Sequence, residues 1–185
     1  EQWSPNDVRA QLEASLRALQ TDVIDLYQFH SGSNAAFDQP ELWSMLADQV
    51  RAGKIRALGI SISPNSNIYQ TSRAPHVGAS AIQVVYIRLD RTPEDEVFPS
   101  CRDQHLGVLA RVPLASGLLS GRYQPGTLFT DQTDVRSQHD REKLEARLRE
   151  VQTIRAQEVP PGVDMAAWAL AWCLQHPAVT CVIPG

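Results

Sequence analysis

The chain has 185 residues, 43% of them hydrophobic and 21% charged, the balance of a globular unit with an apolar core. Its net charge of −4 supplies no general attraction to nucleic acid or to an anionic membrane. No run approaches the roughly 18 apolar residues of a membrane span, and Glu1-Gln2-Trp3-Ser4-Pro5 does not read as a signal peptide.

Ser4-Pro5-Asn6-Asp7 opens the first helix, with a hydroxyl cap, proline in the first turn and an early acid. Val8, Leu12, Leu16 and Leu19 mark its apolar face. A strand follows over Val23 to Phe29, stopping at His30; alternation puts Ile24, Leu26, Gln28 and His30 on one face and Asp25, Tyr27 and Phe29 on the other. The spacing predicts a second helix from Pro40 to Ala52 with Gly53 as its stop. A strand over Lys54 to Ile60 reaches Ser61, and a weakly patterned short helix spans Pro64 to Ser72. Ala81 to Tyr86 is the third strand, Pro93 to Gln104 the next helix and Gly107 to Val112 the fourth strand. Gln124 to His139 is polar and carries Pro125-Gly126, the composition of a functional lid or flexible loop. Leu144, Leu148, Val151 and Ile154 mark an amphipathic helix, with glutamates between its basic residues as on a solvated face. Asp164 caps an apolar helix from Met165 to Gln175, and Thr180 to Ile183 is the fifth strand, closed by Pro184-Gly185.

Strands alternating with helices build a parallel sheet, and each of these strands ends in residues able to work on a ligand. The expected fold class is α/β, a partial (β/α)8 TIM barrel with parallel strands, forming a single domain over 1–185. A complete barrel takes about 250 residues, and its active site gathers at the C-terminal strand ends. Five strands leave roughly three strand–helix units unaccounted for. Cys101, Cys173 and Cys181 have no metal-ligand spacing and read as buried, reduced thiols of a cytoplasmic protein; no metal site is expected.

The order Asp25-Leu26-Tyr27-Gln28-Phe29-His30, then Gly53-Lys54-Ile55-Arg56-Ala57-Leu58-Gly59-Ile60-Ser61, resembles the aldo-keto reductase family. So do Gln83 with Tyr86, the run from Pro113 to Tyr123, and the closing Val182-Ile183-Pro184-Gly185. Leu16 to Asp22 is similar to the helix that leads into the family's fourth strand. The resemblance runs the length of the chain and corresponds to strands four to eight of the barrel.

The resemblance implies an oxidoreductase that passes a hydride from NADP(H), with NAD(H) left open, to an aldehyde or ketone. A small carbonyl compound would be its substrate, with no nucleic acid or membrane as partner. His30 would be catalytic, donating to the substrate carbonyl oxygen as an oxyanion-type partner. Ser61 and Gln83 would hold the nicotinamide carboxamide, and Tyr86 would stack on the ring. The turn of Arg111, Val112, Pro113, Leu114, Ala115 and Gly117 would offer backbone N–H groups to the pyrophosphate. Arg122 would add a cation there, and Gly185 would belong to the same cofactor site. Where the family commonly shows asparagine, this sequence has Ile62 and Ile87.

The family's proton-donating tyrosine, with its lysine and aspartate, would precede Glu1, and the adenosine-gripping segment would follow Gly185. Tyr27 is no substitute, because its parity opposes that of His30. The expected chain is therefore the C-terminal part of a reductase, inactive alone. Two alternatives stand beside it: a non-catalytic cofactor-binding sensor or regulatory subunit, and a truncated remnant. Oligomeric state is left open.

Overall fold

The computed structural model describes residues 3–184. Helix α1 (Pro5–Leu19) starts where Ser4 accepts from the Asp7 N–H at 3.2 Å, and it buries Val8, Leu12 and Leu16. Strand β1 (Ile24–His30) follows, then a short α2 (Asn34–Phe37) capped by Ser33, which periodicity alone had not marked. Helix α3 (Pro40–Arg51) begins on proline, whose missing N–H costs nothing in a first turn. Gly53 leaves it at φ 76°, a left-handed exit toward β2 (Ile55–Ser61).

Helix α4 (Ile68–Arg73) starts later than its sequence pattern suggested. Asn67 sets that start, its side-chain oxygen accepting from the Gln70 N–H at 3.1 Å. Strand β3 (Ala79–Val85) begins two residues before the expected point. The segment expected as one helix from Pro93 to Gln104 is a 3-10 turn at Thr92–Glu94 and then α5 (Val97–Asp103). Strand β4 (Gly107–Arg111), α6 (Arg141–Gln157), α7 (Met165–Leu174) and β5 (Cys181–Ile183) follow, with further 3-10 turns at Ala74–Val77, Leu118–Ser120 and Val135–Gln138.

The strands form one five-stranded sheet in the order β1-β2-β3-β4-β5. Parallel pairing joins β1 to β2, β2 to β3 and β4 to β5. This is the parallel sheet with intervening helices expected of part of a (β/α)8 barrel. No helix among the described residues is long and apolar enough to cross a membrane.

The chain divides into two compact units, Glu1–Val84 with Pro93–Val108, and Val85–Thr92 with Leu109–Gly185. In the first, the helix-facing side of β1 carries an aromatic cluster. The Phe29 ring lies 4.3 Å from that of Trp3, 5.6 Å from Trp43 and 5.9 Å from Phe37, and the Trp43 indole N–H donates to the Phe37 carbonyl at 2.7 Å. Each such side chain contributes about 1.5–3 kcal/mol by burial, so β1 is anchored on the face opposite Gln28 and His30. In the second unit Leu144, Leu148, Val151 and Ile154 of α6 pack with Leu118, Leu119, Met165 and Ala169.

Candidate active site

His30 ends β1 and pairs in register with Ser61, the last residue of β2; Ser61 pairs in turn with Gln83 on β3. The alternation along β1 is confirmed by contacts. Tyr27 points to the helices, its hydroxyl donating to the Val8 carbonyl at 3.5 Å, while Gln28 points to the other face. There Gln28 Nε2 donates to Gln83 Oε1 at 3.0 Å, and Gln83 Nε2 donates to Ser61 Oγ at 3.0 Å. Ser61 is fully buried and Gln83 is buried, whereas His30 is exposed. His30 and Gln28 also line a cavity of about 280 Å³ with Gln11, Tyr27, Phe29 and Leu42.

Gln28 drew no role from the sequence. Its partner in register is Gly59, not Gln83, so its side chain reaches over β2 to a residue of β3. Its Oε1 is buried and has no hydrogen-bond partner.

The second unit carries a different kind of feature. After β4 the backbone enters the left-handed region at Val112 (φ 59°), Ala115 (φ 52°), Ser116 (φ 54°) and Gly117 (φ 88°). Three of these are not glycine, and each costs about 1–2 kcal/mol of backbone strain. The expected row of free N–H groups is smaller than the sequence suggested. The Ala115 N–H is spent on the Val112 carbonyl at 2.8 Å, and the Gly117 N–H on the Leu114 carbonyl at 2.9 Å. The N–H groups of Leu114 and Ser116 have no partner among the described residues, and Pro113 has none to give. Ala115 and Gly117 therefore shape the turn and do not donate from it.

Cations flank this turn. Arg111 closes β4 with its Nε buried and unpartnered, and Arg122 is exposed. Arg136, unmarked in the sequence, pins the 124–139 segment down. Its guanidinium is paired with Asp134 at 2.5 Å, donates to the Ser116 carbonyl at 3.3 Å, and lies over the rings of Tyr123 and Phe129 at 4.6 and 4.5 Å. The side-chain hydrogen bond from Arg136 is the main reason the Asp134 carboxyl is lowered to about 2.

Tyr86 requires a correction. It is 1% exposed, its ring 5.1 Å from Trp172 and 5.9 Å from His176. Alternation from Gln83 explains the placement: Val85 shares the face of Gln83, so Tyr86 turns the other way. A ring sealed in this manner presents no face to a ligand. Cys181 is exposed, contrary to expectation, while Cys101 and Cys173 are buried; desolvation pushes these two thiols up to about 12 and about 11, which leaves them protonated and inert. Gly185 lies outside the described residues.

The first unit thus carries a polar side-chain array at its strand C-termini, and the second a strained turn after β4. Residues 1–185 match the model of the Aldo/keto reductase family. The chain belongs to the aldo-keto reductase family. This reductase-family chain is 35% identical over 188 residues to the uncharacterized oxidoreductase YrpG of Bacillus subtilis (strain 168), covering 96% of the chain and 54% of that relative. It is 36% identical over 129 residues to the NADH-specific methylglyoxal reductase of Escherichia coli (strain K12), covering 66% of the chain and 39% of that protein. The solved glycerol dehydrogenase AKR11B4 from Gluconobacter oxydans superposes with a TM-score of 0.78 at 29% identity, over 98% of this chain and 55% of that one. The aldo-keto reductase chain thus spans about half the length of the curated relatives it matches.

Proposed function

We propose that the chain is the carbonyl-orienting and cofactor-holding part of an NAD(P)H-dependent reductase that converts small aldehydes or ketones to alcohols. The observation that carries this reading is the run of polar side chains at adjacent strand ends: His30 beside Ser61, and Ser61 bonded to Gln83. The residues present also fit the cofactor. An orphaned buried acceptor on Gln28 and an orphaned buried donor on Arg111 are groups a polar ligand would satisfy. The nicotinamide, when bound, supplies the hydride.

In this reading His30 donates a hydrogen bond to the substrate carbonyl oxygen and holds the negative charge that develops there. Ser61 and Gln83 fix the carboxamide, while the Leu114 and Ser116 N–H groups with Arg111 and Arg122 hold the pyrophosphate. NADP(H) is the cofactor the family resemblance favours; NAD(H) stays an arm of the test, since one relative is named NADH-specific.

None of the four tyrosines is placed to give the oxygen its proton. Tyr27 bonds to Val8 on the helix side, Tyr69 donates to Asp38 at 2.7 Å, Tyr86 is sealed, and Tyr123 packs on Phe129. A general acid needs a pKa lowered toward the working pH. Tyr27 is instead raised by desolvation, and Tyr69 by its bond to Asp38. On this reading no tyrosine of the chain supplies that proton, and the chain alone is expected not to turn over.

The test is loss of NADPH or NADH absorbance by the intact protein containing this chain, with methylglyoxal and 4-nitrobenzaldehyde as substrates. Turnover is expected, with His30→Ala lowering kcat by about 10²–10³-fold while fluorescence titration shows little change in cofactor affinity. Binding without turnover would favour a cofactor-binding sensor, and absence of binding would remove the reading altogether.

A further inference from the structure

Resting on the cofactor reading above, we propose that Gln28 is a further positioning residue: its Oε1 accepts from the amide nitrogen of the nicotinamide carboxamide, and its Nε2 fixes the orientation of Gln83. The argument begins at Gly59. In register, Gln28 on β1 faces Gly59 on β2, and Gly59 faces Ala81 on β3. A Cβ built on Gly59 would lie 3.1 Å from Leu26 Cδ1, 3.2 Å from Gln28 Cγ and 3.3 Å from the Ala81 carbonyl oxygen. The bare glycine is what leaves room for the Gln28 side chain to pass over β2 and meet Gln83 at 3.0 Å.

The direction of donation then follows around the array. Because Gln28 Nε2 occupies Gln83 Oε1, the Gln83 amide presents its nitrogen to Ser61 Oγ at 3.0 Å. Ser61 Oγ accepts that bond and keeps its own O–H as a donor. At the other end Gln28 Oε1 is a buried acceptor without a partner, a state that is destabilising unless something donates to it. The array thus ends in one free donor and one free acceptor. A primary carboxamide has the complementary pair, a carbonyl oxygen and an NH₂ group. Gln83 becomes the bridge that links the two, and Gln28 completes the set with Ser61.

The test uses the cofactor's own chemistry. In the 3-acetylpyridine analogue of NADPH a methyl replaces the NH₂, so the donor to Gln28 Oε1 is gone while the carbonyl remains. Dissociation constants for NADPH and for the analogue are measured by fluorescence titration or calorimetry on the intact protein, without turnover. Wild type is expected to prefer NADPH, and Gln28→Leu to narrow that preference about five-fold, the worth of one hydrogen bond. Gly59→Ala is expected to narrow it alike, and the double variant to add nothing further. Gln28→Met keeps the length and packing of the side chain but lacks both the amide oxygen and the amide nitrogen, so the preference should narrow as in Gln28→Leu, which separates the role from loss of packing. A preference unchanged in Gln28→Leu, with NADPH still bound, overturns this inference alone. Failure of wild type to bind either dinucleotide overturns the cofactor reading instead.

Discussion

The array on β1 to β3 and the turn after β4 are built by opposite means. The first is built from side chains on ordinary strand backbone, and its hydrogen bonds run in one direction from Gln28 through Gln83 to Ser61. The second is built from backbone held in the left-handed region at four of six positions, Val112, Ala115, Ser116 and Gly117, with Arg111 and Arg122 beside it. Directional amide bonds discriminate a neutral carboxamide, where donor and acceptor must be told apart. Strained N–H groups and unpaired guanidinium groups suit a diffuse anion, whose oxygens accept from any side. On the proposed function the array takes a carboxamide and the turn takes a phosphate. Changes in the array should alter which ring is accepted; changes in the turn should alter the affinity for every dinucleotide alike.

The largest effect that breaks this contrast at the turn is expected from Gly117→Ala. Gly117 stands at φ 88°, and an added Cβ would lie 3.2 Å from Arg136 Nη1 and 3.6 Å from Tyr123 Cε2. Left-handed strain costs about 1–2 kcal/mol, and the contact also pushes on the guanidinium that holds the Ser116 carbonyl. Thermal unfolding should show a lower Tm, and titration should show NADPH and its acetylpyridine analogue weakened by the same factor. If the two ligands shift unequally, the turn is not confined to the phosphates.

Much of this was visible in the residues before any coordinates. Apolar runs that end at His30, Ser61 and Arg111 located the strand ends within a residue, because a strand of half-buried alternation leaves a period-two trace. Parity correctly turned Tyr27 away from His30. The same rule, counted from Gln83, turns Tyr86 toward Trp172, and the likeness of a Gln-x-x-Tyr motif had hidden that count. Other features depend on register or distance and leave no local trace. Gln28 acquires meaning only once β1 is set against β2 so that Gly59 falls opposite it. Arg136 meets Ser116 from twenty residues away. Which turn N–H groups remain free depends on internal turn bonds, such as Ala115 to Val112, that composition does not specify.

A smaller effect is expected at Arg111. Its guanidinium makes no hydrogen bond or ion pair among the described residues, and its Nε is buried, so a cation is kept without a carboxylate to balance it. Arg111→Gln should weaken NADPH about five-fold at low salt, a charge-assisted contact discounted for partial exposure. The wild-type affinity should fall with added salt more steeply than that of the variant. Measured against the analogue, the loss should again be equal, in contrast to Gln28→Leu. An Arg111→Gln protein with unchanged affinity and unchanged salt dependence would place this cation outside the site.

The smallest effect concerns how the 124–139 segment is held beside the turn. Asp134 is depressed from its ordinary value to about 2, chiefly by the side-chain bond from Arg136. A carboxyl whose folded pKa is lowered stabilises the folded arrangement above its unfolded value, near 4, and that contribution is lost as the pH falls through about 2. Arg136, raised by the same bond, stays charged throughout, so Asp134 is the member of the pair that titrates. From pH 8 down to pH 5 the segment should therefore resist limited proteolysis equally well. Between about pH 4 and pH 2 the protection should decline as Asp134 takes up its proton and releases the guanidinium from one of its holds. Asp134→Asn should show the reduced protection already at pH 7, with little further change on acidification, while the array on β1 to β3, tested by the analogue preference at pH 7, remains as in wild type. Full protection of the segment in Asp134→Asn would mean that the two ring contacts and the Ser116 carbonyl hold Arg136 without the carboxylate.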